Sequence, residues 1–236
     1  MDHNERLNDL SRQNGADYFG IADLLPAYDT IWEHGGPTIA EYPRAISIGI
    51  ALPHSVVNQL PRRAERAVAM EYRHHAFEVI NQRLDFVTSR LSSFIQQAGY
   101  KAMPISASKH ADRERHRAIF SHKLAGHLAG LGWIGKSCLF ITPDMGPRAR
   151  WATVLTDAPL TKTGEAIAER CGDCKDCVDI CPVNAFTGQP FREEEPREVR
   201  YNASKCAHYL ATMKEKDPEL AVCGLCLYVC PYGRRS

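Results

Sequence analysis

Nine cysteines stand in a chain of 236 residues, and eight of them fall within the last 66 positions. The run Cys171-x2-Cys174-x2-Cys177-x3-Cys181-Pro182 has the spacing at which three thiolates wrap one [4Fe–4S] cubane while the fourth reaches a second. Near the C-terminus, Cys223-x2-Cys226-x3-Cys230-Pro231 repeats the last three positions of that run, and Leu220 stands where its first cysteine would be. Cys206, seventeen residues before Cys223, completes the count. The spacing therefore predicts Cys171, Cys174, Cys177 and Cys230 on one cluster, and Cys206, Cys223, Cys226 and Cys181 on the other.

Two other chemistries of eight cysteines fit less well. Four disulfides need an oxidising compartment, but the N-terminus MDHNERLNDLSRQNG is polar and has no apolar signal core, so the chain is expected in the cytoplasm with its thiols reduced. Four-thiolate zinc suits CxxC pairs, yet leaves the third close cysteine and both Cys-Pro endings unexplained. The ninth, Cys138, is read as a small buried apolar thiol in a strand.

The elements that must position these residues follow from periodicity. With 44% hydrophobic and 24% charged residues the chain is an ordinary globular one, and a net charge of +1 provides no global field for nucleic acid. No apolar stretch approaches the ~20 residues of a membrane span. Residues 3–14 read as a helix stopped by Gly15, and Tyr18–Ile21 as a strand. Residues 45–52 (AISIGIAL) read as a strand packed tightly on one face. Phe77, Ile80, Leu84, Val87, Leu91, Phe94 and Ala98 form a helical stripe ending at Gly99, in a run that is one long helix or two. Strands are predicted at 100–105, 137–142 and 150–156, and a helix at 112–130. Helices alternating with strands predict an α/β (α+β) domain over 1–165, followed by a small cluster domain, 166–236, with little core of its own.

The segment His127-Leu-Ala-Gly-Leu-Gly-Trp-Ile-Gly-Lys136, with the double cysteine group about 35 residues on, resembles the epoxyqueuosine reductases, a family related to corrinoid reductive dehalogenases. Arg44–Pro53, Tyr72, Asn81 and Cys206-Ala-His-Tyr-Leu210 extend the resemblance over nearly the whole chain. It implies a nitroreductase-like α/β domain holding cobalamin against a ferredoxin-like domain with two [4Fe–4S] clusters. Electrons would enter from an external low-potential donor, a ferredoxin or flavodoxin, and pass singly to cobalt. It also implies Gly130, Gly132, Trp133, Gly135, Lys136 and Tyr209 as cofactor-binding residues. Independently, glycines at 130, 132 and 135 permit positive φ and close approach by a flat or phosphorylated ligand, or simply shape a tight turn.

Two departures from the family are visible. The catalytic aspartate expected before the Gly-Leu-Gly-Trp turn falls on His116, which makes His116 the candidate proton donor, with Asp112, Glu114 and His122 as further candidates. The sequence also stops six residues after Cys230, where the family continues into a helical-repeat domain that helps bind tRNA, so a small-molecule substrate is expected in place of tRNA. The competing readings are an electron-transfer or corrinoid-reactivating partner protein and a minimal epoxyqueuosine reductase.

Overall fold

The computed structural model describes residues 2–109, 111–112 and 114–234. The chain separates into two compact units interleaved along the sequence. One comprises Met1–Ile50, Ile80–Gly132 and Arg150–Ile167, and the other Ala51–Val79, Trp133–Ala149 and Ala168–Ser236. Residues 51–79 and 133–149 thus group with the cysteine-rich segment and not with the rest of the first 165. Among the described residues no helix is long and apolar enough to cross a membrane.

The first unit is built on a four-stranded sheet of order β1-β2-β6-β3: β1 Tyr18–Asp23, β2 Arg44–Ala51, β6 Ala149–Thr156 and β3 Ala102–Ile105. β1 runs antiparallel to β2 with Phe19 opposite Ile48, and β3 antiparallel to β6 with Met103 opposite Leu155. Ala45 through Ile50 are all buried, so β2 is covered on both faces and not on one as its alternation predicts. Its small residues serve close packing: a Cβ on Gly49 would lie 2.7 Å from the Trp151 ring. The helix His3–Gln13 opens with a capping box, in which Asp2 Oδ1 accepts from Glu5 N at 2.9 Å and Glu5 Oε2 accepts from Asp2 N at 3.1 Å.

The long helical run is broken. Arg66–Arg73 is a helix, His74–Val79 a π-helical stretch, and Ile80–Gln97 a second helix. The wider π turn advances the phase of the stripe. The buried set is consequently Ile80, Leu84, Val87, Leu91 and Ile95, while Phe77 is exposed and Phe94 only half-buried. The helix expected over 112–130 shrinks to His122–Leu128, capped by Ser121. Ahead of it, Asp112 and Arg117 close a tight turn by mutual backbone hydrogen bonds of 3.0 Å, and Asp112 Oδ1 accepts from Arg115 N at 2.8 Å. That local side-chain bond competes with helix propagation. Similarly, the strand expected at 137–142 is only β5 Phe140–Ile141, paired with β4 Trp133–Ile134. Cys138, at φ 53°, sits in the turn between them, buried as expected but not in a strand.

The second unit has more core than its turn-rich sequence promises, because its early segments contribute Val57, Leu60, Ala69, Tyr72, Trp133 and Phe140 to join Phe186, Leu225, Leu227 and Val229. Its helices include Asp176–Asp179, Ala203–Lys216 and Leu225–Val229. Gly224 opens the last at φ 67°, where a Cβ would lie 2.8 Å from Leu60 Cδ1.

Candidate iron–sulfur centre

All eight C-terminal cysteines lie in the second unit. Cys181, Cys206, Cys223 and Cys226 together line one cavity of about 130 Å³, walled by Tyr72, Phe77, Phe186 and Tyr209. Burial pushes the Cys226 thiol far up, and after burial it feels Cys223, Cys206, Cys177 and Cys181 in turn. Cys177, pushed up to about 11 by burial, faces Cys174 and Cys230. Cys230 is likewise raised by burial and senses Cys174. Among the described residues no three of His, Cys, Asp or Glu converge on one point as ligands of a single ion would. The thiols of the second group instead surround a space.

The donor chemistry fits iron–sulfur clusters. Thiolates buried among one another are unfavourable as bare anions, and bound iron supplies the positive charge that makes them stable. Local backbone geometry brings the thiols in: Cys174 N donates to Cys171 O at 3.0 Å, and Ala185 N donates to Cys181 Sγ at 3.3 Å. Burial, then the Glu169 carboxylate, push the Cys171 thiol up to about 12, against the pull of the Lys136 backbone N–H and the Trp133 indole.

The Gly-Leu-Gly-Trp-Ile-Gly-Lys segment makes close contacts with the chain itself. The Lys136 ammonium is buried and donates to the carbonyls of Gly172 and, at 3.2 Å, Cys174, bracing the first cysteine loop. Gly135 leaves room for Ile141 and for Cys171 Sγ, which would lie 3.3 Å from a Cβ there. Trp133 is fully buried, edge-on to Tyr232 with ring centroids 4.8 Å apart. In the first unit, Gly130 at φ 75° is approached by the backbone of Glu165, and the Gly132 carbonyl lies 3.4 Å from His127 Nδ1. The close approaches these glycines permit are thus filled by the chain itself. Tyr209, the remaining expected contact, walls the cysteine cavity.

Replacing Lys136 with Met should keep the side chain's bulk and remove both carbonyl contacts. We expect several-fold faster bleaching of the cluster absorption in air than in the parent chain, while unchanged bleaching would show that the brace is dispensable.

The candidate proton donors lie in the first unit and part company. Asp112 is engaged in its own turn. Partly buried His122 lies 2.8 Å through Nδ1 from Thr153 Oγ1 and 3.1 Å through Nε2 from the Ser106 carbonyl. Since a carbonyl only accepts, Nε2 carries the proton and Nδ1 accepts from the Thr153 hydroxyl. His122 is therefore fully committed within the fold. His116 stands in the Asp112–Arg117 turn at φ 51°.

Sequence reasoning missed Tyr201, whose hydroxyl donates to the Cys206 sulfur and whose own ionisation burial suppresses. It stacks on Phe186 at 5.1 Å. Its only sequence signal was a tyrosine five residues before an isolated cysteine.

Residues 170–233 match the 4Fe-4S double cluster binding domain family. An epoxyqueuosine reductase of Pseudomonas aeruginosa is 27% identical over 231 residues, covering 95% of this chain and 61% of the relative. The chain is epoxyqueuosine reductase-like. A reductive dehalogenase structure described for B12-dependent dehalogenation shares the fold of this reductase-like chain, with a TM-score of 0.71 and 22% identity over 98% of the chain and 32% of the neighbour. An epoxyqueuosine reductase solved with an epoxyqueuosine-modified tRNA stem loop has a TM-score of 0.60 and 19% identity, covering 98% and 65%. The chain spans about 61% of the Pseudomonas relative's length. The expectation against tRNA finds no support among these relatives.

Proposed function

We propose that the chain is an iron–sulfur reductase that carries two [4Fe–4S] clusters and works with a cobalamin. The observation that carries the reading is the cavity walled by Cys181, Cys206, Cys223 and Cys226. Those four would hold one cluster, and Cys171, Cys174, Cys177 and Cys230 the other. Such clusters supply single electrons at low potential when bound. The chain's own residues set the conditions for this: Tyr72, Phe77 and Phe186 wall the second site with apolar surface that limits water, and the Tyr201 hydroxyl polarises one sulfur. A ferredoxin or flavodoxin would load the centres from outside. Of the donor candidates we carry forward His116, because His122 is committed on both nitrogens and Asp112 serves its own turn. The substrate we favour is a small molecule, on the near-neutral net charge of +1.

The test is an anaerobic titration of the iron-reconstituted chain with cobalamin, followed by absorption and EPR of the cobalt(II) state. A stoichiometric complex supports the proposal. Absence of binding with both clusters intact would overturn the cobalamin part and favour an electron-transfer partner protein. A second reading, reduction of epoxyqueuosine in tRNA, is favoured by the 95% coverage of this chain in the Pseudomonas alignment. Conversion of an epoxyqueuosine-bearing stem loop by the reduced, cobalamin-loaded chain would establish it over the small-substrate reading.

A further inference from the structure

The cysteine cavity is not the only built pocket in the second unit. A separate cavity of about 280 Å³ is lined by His54, Asn58, Arg148, Tyr228 and Arg234, several times the roughly 30 Å³ that one water takes. Arg148 is only 1% exposed. Its Nη1 donates to His54 Nδ1 and to Asn58 Oδ1, both at 2.8 Å, and its Nη2 reaches the Tyr228 carbonyl at 3.5 Å. Its Nε is buried with no partner. All of these contacts are neutral. Among the described residues no carboxylate lines the cavity or comes within ion-pair range of Arg148 or Arg234. A buried cation normally has a counter-charge, and here a second cation shares the space.

From this arrangement we infer that the Arg148 cavity is a binding site for a phosphate-class oxyanion. The donors come from three parts of the chain: His54 opens and Asn58 caps one short helix, Arg148 precedes β6, and Tyr228 with Arg234 lies near the C-terminal end. Because a guanidinium only donates, His54 Nδ1 must accept, so the neutral ring carries its proton on Nε2 as a further donor. Guanidinium forks, an imidazole N–H, an amide and a phenol together match a tetrahedral anion with up to four oxygens better than a carboxylate with two. The fold makes room for the arrangement: a Cβ on Gly233 would stand 2.8 Å from Arg148 Nε. Burial and the neighbouring Arg234 both disfavour charge on Arg148, a cost that a bound anion would offset. The competing role for Arg148, offsetting the Cys230 thiolate, uses one cation and leaves the cavity unexplained, and Arg234 stacks over the Tyr228 ring at 5.2 Å on its wall. The inference does not depend on cobalamin or on the identity of the reduced substrate.

The experiment is anaerobic calorimetry of the cluster-reconstituted chain with inorganic phosphate at constant ionic strength, with acetate as the carboxylate arm. Saturable one-to-one phosphate binding is expected, weakened about tenfold or more in Arg234→Gln, whose side chain is exposed and whose iron content should match the parent. Arg148→Lys, which keeps the charge and loses the fork, should weaken it as well. Glycerol 3-phosphate and dimethyl phosphate then distinguish a free monoester from a diester within a larger ligand. Binding of neither phosphate nor its esters would overturn the inference. So would acetate binding more tightly than phosphate, or equal phosphate affinity in Arg234→Gln and the parent.

Discussion

Replacing Cys226 with alanine is expected to remove one whole cluster and leave about half of the iron. Cys226 is set among the other thiols: burial dominates its environment, and four further cysteines act on it. A cubane takes four cysteine ligands, and the cavity that Cys226 lines with Cys181, Cys206 and Cys223 offers no other thiol as a substitute. The remaining group draws on separate sulfurs, so its cluster should persist. Iron and sulfide assays with EPR of the dithionite-reduced protein measure this directly. Full iron in Cys226→Ala would refute the ligand grouping, and loss of all iron would show that the sites fold as one. Cys138→Ala is the control: this thiol lies in the β4–β5 turn, outside both groups, and its variant should retain the full complement.

The sequence could propose a cysteine grouping, and the four thiols that line one cavity agree with one half of it, because cluster ligation is written in short intervals. Cys171, Cys174, Cys177 and Cys181 fall in one short segment, and Cys181, Cys206 and Cys230 had to be assigned across longer distances. The sheet was similarly legible in AISIGIAL and in residues 150–156, where apolar runs mark β2 and β6. What the sequence hid depended on tertiary context or on single backbone exceptions. One π-helical stretch at His74–Val79 exposed Phe77 and shifted a stripe that otherwise reads as continuous. A local Asp112–Arg115 bond turned much of an expected helix into a tight loop. The glycines at 130 and 135 advertised open backbone, but sequence does not say what fills the opening. Glu165 fills the first, and Ile141 with Cys171 the second. Arg148 was invisible for the same reason: a lone arginine before a strand carries no signal until Gly233, Asn58 and His54 surround it.

Acidification should expose the role of His122. Burial lowers its pKa from 6.5 to about 4, with Arg150 adding in the same direction against the Ser106 carbonyl and Asp85. Above about pH 6.5 the ring is neutral in both folded and unfolded chains and its contribution to stability is complete. As pH falls from 6.5 towards 4, the unfolded chain takes up a proton that the folded chain refuses, so stability declines through that window. A shift of this size corresponds to a ceiling of about 3 kcal/mol, reduced by whatever solvent reaches the partly buried ring. His122→Gln removes the titration while retaining an amide that can donate to Ser106 O. Its thermal midpoint, measured anaerobically between pH 7 and 4, should therefore fall less steeply than that of the parent chain, and parallel curves would refute the assignment. The same physics bears on catalysis. A histidine neutral at pH 7, with its one proton given to a carbonyl and its lone pair accepting from a hydroxyl, has no proton to deliver to a substrate. Turnover that persists in His122→Gln and falls in His116→Ala, with the iron content of both variants matching the parent, would place proton donation at the strained turn and leave His122 the task of holding Thr153 and Ser106 together.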